Sequence, residues 1–259
     1  MKQVTQHNKT GEVKVESVPV PALKPGFVLV QVRCSLISAG TERASVATRK
    51  MSLWQRAKRQ PELVVKVLQQ VRQHGIVQTY RRVKGRLGST TALGYSVSGV
   101  ALGVGDGVTE IKPGDRVACA GAGYASHAEY VVVPKNLCAK IPRGVEFQDA
   151  AYTTVGAIAL QGVRQAAPTL GETAAVIGLG LVGQLTVQIL KANGCRVVGV
   201  DLDPWPVKMA KESGADLALV RSGDLKNVVH SFTKGIGADS VIITAATESN
   251  DPVQLAGEL

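Results

Sequence analysis

Val176-Ile177-Gly178-Leu179-Gly180-Leu181-Val182-Gly183 is a Gly-x-Gly-x-x-Gly turn set between a short apolar run at 173–177 and a stretch of helical periodicity at 181–191. Each glycine has its own reason. The first permits the tight turn, the second lets a pyrophosphate approach the backbone, and the third lets helix and strand pack closely. The diphosphate then meets the helix N-terminus, where unpaired N–H groups and the dipole favour an anion. The next apolar run, 196–201, ends at Asp201, whose carboxylate suits the hydroxyls of an adenosine ribose and repels a 2′-phosphate. Gly178, Leu179, Gly180, Leu181, Val182, Gly183 and Asp201 are therefore candidate cofactor-binding residues, together with Thr244 and Ala245 at the end of a later strand. NAD is the expected cofactor, in preference to NADP.

Outward from this turn, everything after Pro142 alternates apolar runs (173–177, 196–201, 217–220, 239–244) with helical stretches (181–191, 204–212, 225–233, and one starting near Asp251). Such alternation predicts a parallel sheet with crossover helices, a doubly wound Rossmann arrangement. A sheet in the order 3-2-1-4-5-6 needs two strands more than the sequence supplies, so the expectation is an incomplete sheet, a C-terminally shortened chain and a fourth strand left as an exposed apolar edge. Before Pro142 the texture differs. Glu12-Val13-Lys14-Val15 and Phe27-Val28-Leu29-Val30-Gln31-Val32 alternate with the period of a strand, and further strands are expected at 97–104, 116–120 and 128–134. Between them Leu63, Val64, Val67, Leu68 and Val71 recur at helical spacing, with Pro61 suited to a first turn and Gly75 to a C-terminal cap. The reading is an α/β chain in two domains, 1–143 and 144–259, with a helix at 148–164 connecting them and a basic helical insertion at about 45–88.

With 259 residues, 45% of them hydrophobic, the chain can bury a sizeable core. No run of about 18 apolar residues occurs and the N-terminus lacks a signal-peptide apolar stretch, so a cytoplasmic protein without a membrane partner is expected. Cys34, Cys119, Cys138 and Cys195 form no Cys-x-x-Cys pair and read as free thiols. The net charge of +10 is concentrated: residues 43–86 hold twelve Arg and Lys against Glu62 alone, a local +11. Such a segment serves as a lid carrying cations toward an anionic substrate, or as a solvated face or docking surface for a partner. No aromatic-rich sheet or known reading motif accompanies it, which argues against nucleic acid.

Several stretches together resemble the medium-chain dehydrogenase/reductase family: Pro25-Gly26-Phe27-Val28-Leu29-Val30, Ala39-Gly40-Thr41-Glu42, Gly94-Tyr95-Ser96-Val97-Ser98-Gly99-Val100, Lys112-Pro113-Gly114-Asp115-Arg116-Val117, His127-Ala128-Glu129-Tyr130, and the glycine turn. The resemblance spans almost the whole chain. It implies a GroES-like partial β-barrel that binds a small-molecule substrate, followed by the Rossmann domain. Zinc members of that family hold a catalytic ion at three positions that match Ala39, Tyr95 and Thr154, and their neighbouring Glu matches Ser96. Ala39 has no donor, and neutral Tyr and Thr hydroxyls are poor ligands where three N, S or carboxylate donors are needed. A zinc-ligand-lacking member is therefore expected, with no metal. The resemblance implies Tyr95 as proton donor or oxyanion partner, Thr41 as proton relay, and Glu42 and Thr154 as further catalytic candidates. His127 reads as a partly exposed turn residue, and His7, His74 and His230 carry no surrounding motif.

The function expected is a zinc-independent, NAD-dependent oxidoreductase acting on an alcohol or carbonyl, a class that includes sugar derivatives. Alternatives are a quinone- or enoyl-reductase-like enzyme, or a non-catalytic NAD(H)-binding or docking module. The long insertion resembles that of a subgroup sometimes fused to a second oxidoreductase domain; association with such a domain, or with a second copy, is the partner expectation.

Overall fold

A computed structural model describes residues 1–51, 54, 55, 58 and 61–259, and the side chains of these other than 45, 50, 61–63, 66–68, 70, 82, 83, 86 and 87. The chain divides into two compact units, Met1–Thr153 and Thr154–Leu259. In neither is any described helix long and apolar enough to cross a membrane.

The first unit is built from two antiparallel sheets. The strands are β1 (Lys2–His7), β2 (Val13–Ser17), β3 (Phe27–Ser35), β4 (Thr90–Ala92), β5 (Ser96–Val104), β6 (Arg116–Ala120), β7 (Tyr130–Pro134) and β8 (Cys138–Lys140). One sheet has the order β2-β1-β4 and the other β7-β3-β5-β6-β8. Alternate residues of the larger sheet point inward, so Val28, Val30, Val97, Val117, Val131 and Val133 form its core while their neighbours face outward. Helices α1 (Ala39–Lys50), α2 (Pro61–His74) and α3 (Ile76–Leu87) fall between β3 and β4. Helices α2 and α3 fall within the helical insertion expected at about 45–88; residues 52, 53, 56, 57, 59 and 60 of that insertion lie outside the described residues, as do the side chains of Leu63, Val67 and Leu68. Sequence periodicity does not mark helix α1, because Ala39 to Lys50 carries one large apolar residue, Val46, and so no stripe.

A single connecting helix at 148–164 is not what the chain forms. It makes a short α4 (Phe147–Ala150) and a longer α5 (Thr153–Ala166). The segment holding α4 is sewn to the barrel by backbone carbonyls: Ser98 Oγ donates to Phe147 O at 2.5 Å, Ser96 Oγ to Ala151 O at 2.6 Å, and Arg116 Nη2 to Val145 O at 2.5 Å. The Arg116 guanidinium also lies 4.5 Å from the Phe147 ring centroid. These bonds keep residues 145–151 with the first unit, so its edge comes later than Arg143.

The second unit is a parallel sheet in the order β11-β10-β9-β12, with β9 (Thr173–Ile177), β10 (Arg196–Asp201), β11 (Leu217–Val220) and β12 (Ser240–Ile243). In chain order of its strands this is 3-2-1-4, the start of the Rossmann sequence. Helices α6 (Leu181–Ala192), α7 (Pro204–Glu212), α8 (Leu225–Phe232) and α9 (Asp251–Ala256) complete it. Both faces of the central strands are buried. Val176 and Val197 pack with Val187, Leu190 and Val207 on one side; Ile177, Val198 and Val200 pack with Leu225, Val229 and Leu255 on the other. β12 pairs with β9 alone among the described residues.

Candidate functional site

β9 ends at Ile177 and α6 begins at Leu181, so Gly178, Leu179 and Gly180 turn the chain. Gly178 stands at φ +94, and a Cβ there would lie 2.6 Å from Ala245 N. A Cβ on Gly183 would run into Gly178 O and come within 2.9 Å of Thr244 Oγ1. Packing within the protein therefore demands both glycines. Gly180 is different: its φ is −66, open to any residue, and a Cβ would meet nothing within 4 Å. Nothing in the chain itself requires glycine at that position.

Thr244 and Ala245 act on the same turn from the end of β12. The Thr244 hydroxyl donates to Gly178 O at 2.5 Å, and the N–H groups of Thr244 and Ala245 donate to Ile177 O at 2.9 and 3.1 Å. Leu179 sends its side chain into the core and its N–H to Asp201 Oδ2 at 2.6 Å. Asp201 Oδ1 accepts from Asp203 N at 3.0 Å, so two of about four lone-pair sites of the carboxylate are used. Arg221, next in line at the end of β11, is turned to Asp251 at 2.8 Å, and its guanidinium holds the Asp251 carboxyl below the usual range. No side chain caps the N-terminus of α6. Leu181 and Val182 are half-buried in its first turn. An open backbone at Gly180, an uncapped helix start and a carboxylate on the neighbouring strand together fit a dinucleotide.

In the first unit the residues singled out by sequence fall around the start of α1. Ser38, its N-cap, donates from Oγ to Thr41 Oγ1 at 3.1 Å and from its N–H to Glu42 Oε1 at 3.2 Å. The same Glu42 oxygen lies 3.1 Å from His127 Nε2, and His127 Nδ1 lies 3.0 Å from Ser35 Oγ. His127 is 8% exposed, which corrects the expectation of a partly exposed turn residue. Its backbone is fixed too, donating to Leu93 O and accepting from Val4 N, both at 2.8 Å. A Cβ on Gly94 would lie 2.8 Å from the imidazole ring, so the residue preceding Tyr95 packs directly against His127. Tyr95 is half-buried, and its carbonyl accepts from Gly121 N at 2.9 Å.

This geometry gives Glu42 a bonding role. Its carboxylate ties the first turn of α1, and with it Thr41, to the segment before β7. Glu42→Ala leaves the buried His127 Nε2 and the Ser38 N–H without this acceptor, and we expect it to lower stability by about 1–3 kcal/mol in denaturant unfolding. A change within ±0.5 kcal/mol would mean the contact is not formed in solution.

The three positions matched to zinc ligands do not fit that ion. Ala39 offers no donor, and Tyr95 and Thr154 offer only neutral hydroxyls. Ser96, where the neighbouring acid stands in zinc members, spends its hydroxyl on Ala151 O. Among the described residues no three His, Cys, Asp or Glu side chains converge as a metal site.

Comparison with known proteins yields two family matches. Residues 62–143 match the alcohol dehydrogenase GroES-like domain, and residues 182–254 match the family described as zinc-binding dehydrogenase. The chain is 28% identical to sorbitol dehydrogenase of Halalkalibacterium halodurans over 201 residues, 64% of this chain and 59% of that one. It is 33% identical to D-guloside 3-dehydrogenase of Escherichia coli over 158 residues, 59% of this chain and 44% of that one. The chain thus spans about half the length of these two curated relatives. The crystal structure of galactitol-1-phosphate dehydrogenase from Escherichia coli shares the fold, with a TM-score of 0.75 at 20% identity, covering 100% of this chain and 72% of that one.

Proposed function

Because this chain belongs to the medium-chain dehydrogenase/reductase family, we propose that it is an oxidoreductase passing a hydride between NAD(H) and a hydroxyl or carbonyl of a polyol or sugar-like substrate, without zinc. The observation that carries the proposal is Gly180. Its backbone angles suit any residue and its surroundings are empty, so glycine there is explained by a group that approaches the turn from outside. The nicotinamide of the bound dinucleotide supplies the hydride acceptor or donor. The α6 N-terminus would hold the diphosphate, and Asp201 would bind the adenosine ribose and disfavour a 2′-phosphate. Arg221, occupied by Asp251, is not free to neutralise such a phosphate. The names of the relatives, sorbitol and D-guloside dehydrogenases, support a polyhydroxylated substrate.

Oxidising an alcohol also releases a proton, and in this proposal Tyr95 moves it with Thr41 as relay. Thr41 is exposed and held by Ser38, so its hydroxyl is both oriented and reachable. Thr154, half-buried at the start of α5, is a second hydroxyl candidate. Glu42 acts through the position of Thr41. Zinc has no role here because the donor set lacks ligands for it.

The test is a fluorescence titration with NADH and NADPH, metal analysis of the same preparation, and turnover on sorbitol and other polyols. NADH preference, substoichiometric zinc and NAD-linked polyol oxidation support the proposal. Stoichiometric zinc removes the metal-free mechanism, and absence of nucleotide binding removes the proposal altogether. Within it, Tyr95→Phe is expected to lower kcat on the order of 10²–10⁴-fold with NADH affinity unchanged. Full turnover in that variant would reassign the proton transfer.

A further inference from the structure

Cys119 and Cys138 sit opposite each other on β6 and β8, and their sulfurs are 3.6 Å apart. The register shows why they meet. Ile141 N donates to Arg116 O at 2.9 Å, making Arg116 and Ile141 a hydrogen-bonded pair; counting inward, Val117–Lys140 is non-bonded, Ala118–Ala139 bonded, and Cys119–Cys138 non-bonded. Non-bonded pairs of an antiparallel ladder bring their Cα atoms to about 4.5 Å and their side chains closest, inside the 4.4–6.8 Å span that a disulfide bridges.

We propose that Cys119 and Cys138 form a redox modification site, closing to a cross-strand disulfide when the protein meets a hydroperoxide. The two thiols are unequal in ways that order the steps. Cys138 is partly exposed, whereas Cys119 is 2% exposed and packed in the barrel core. Cys119 donates its S–H toward the Cys138 sulfur, so the Cys138 thiolate is the form this contact stabilises. That hydrogen bond holds the Cys138 thiol below its ordinary range against the opposing effect of burial, and it pushes Cys119 up. The Cys138 thiolate attacks one peroxide oxygen; the O–O bond breaks and the departing hydroxide takes a proton to become water. Cys119 sulfur then attacks the resulting sulfenic sulfur, the S–O bond breaks, and hydroxide leaves with the Cys119 proton as a second water. Two thiols and one hydrogen peroxide give one disulfide and two waters. Cys34 and Cys195 have no sulfur neighbour of this kind among the described residues: the Cys195 sulfur lies 3.7 Å from Thr169 O and from Asn193 Nδ2.

The experiment treats the whole protein with hydrogen peroxide, counts thiols after denaturation, and maps the linked peptides by mass spectrometry. Of the four thiols, two are expected to disappear together, in a Cys119–Cys138 peptide that dithiothreitol separates. Cys119→Ser and Cys119→Ala should halt at a Cys138 sulfenic acid that dimedone traps. Cys138→Ser should slow oxidation of Cys119 at least about tenfold, because the buried thiol then has no partner to act first. A circular dichroism spectrum matching the parent qualifies each variant. Persistence of all four thiols in peroxide that oxidises a free small thiol overturns the proposal, as does a disulfide of different pairing or unslowed oxidation of Cys119 in Cys138→Ser. None of these readouts depends on nucleotide or substrate, so they stand apart from the proposed oxidoreductase activity.

Discussion

Gly180→Val is expected to weaken NADH binding about tenfold or more, some 1.4 kcal/mol or greater, while leaving the unfolding midpoint nearly unchanged. The effect is steric and falls on the bound state alone. At φ −66 an added Cβ meets nothing within 4 Å, so the free protein admits a side chain there, whereas the methyl groups of valine fill the space that a diphosphate needs. Gly183→Val is the contrasting control. There the new side chain collides with Gly178 O and Thr244 Oγ1, so the variant should lose stability by several kcal/mol and binding with it. Calorimetric melting and an NADH titration on both variants separate a ligand-driven glycine from a packing-driven one. A Gly180→Val protein that binds NADH as tightly as the parent would remove the main support for the nucleotide site.

Asp201→Asn should shift the ratio of NADH to NADPH affinity on the order of tenfold to a hundredfold toward NADPH, since one charge near a doubly charged phosphate is worth roughly 1–4 kcal/mol per unit pair at 4 Å, depending on exposure. Asparagine keeps an acceptor for Leu179 N–H, now donated at 2.6 Å, so the turn should hold while the repulsion goes. Asp201→Ala removes the acceptor as well and should weaken both nucleotides. Parallel titrations at fixed ionic strength read the ratio directly. An unchanged ratio in Asp201→Asn would mean that discrimination lies elsewhere.

Local backbone demands were legible in the sequence, and long-range side-chain partnerships were not. Gly178 and Gly183 announce a tight turn because only glycine tolerates the approach of Ala245 and of Gly178 O, and unbroken apolar runs announce β9 and β10 because both their faces are buried. His127 was misjudged since Glu42 and Ser35, which enclose it, lie 85 and 92 residues away. β4 escaped because three residues after a helix carry no periodicity. The later edge of the first unit rests on carbonyls of Val145, Phe147 and Ala151, groups every residue possesses. Cys119 and Cys138 form no spacing motif; only the register of β6 on β8 makes them neighbours.

Viewed as a polymer, the stretch from Lys50 to Thr90 is one closed loop on the first unit. Glu42 fastens the helix at its beginning, and the pairing of β4 with β1, Thr5 against Ala92, fastens its end. The entropy of closing such a loop grows only with the logarithm of its length, about 0.6 kcal/mol for each doubling. The sheet is therefore nearly indifferent to how many residues intervene. Helices α2 and α3, six Arg and Lys against Glu62, carry half of the chain's net charge of +10 on a stretch whose length and charge the sheet pairing does not constrain.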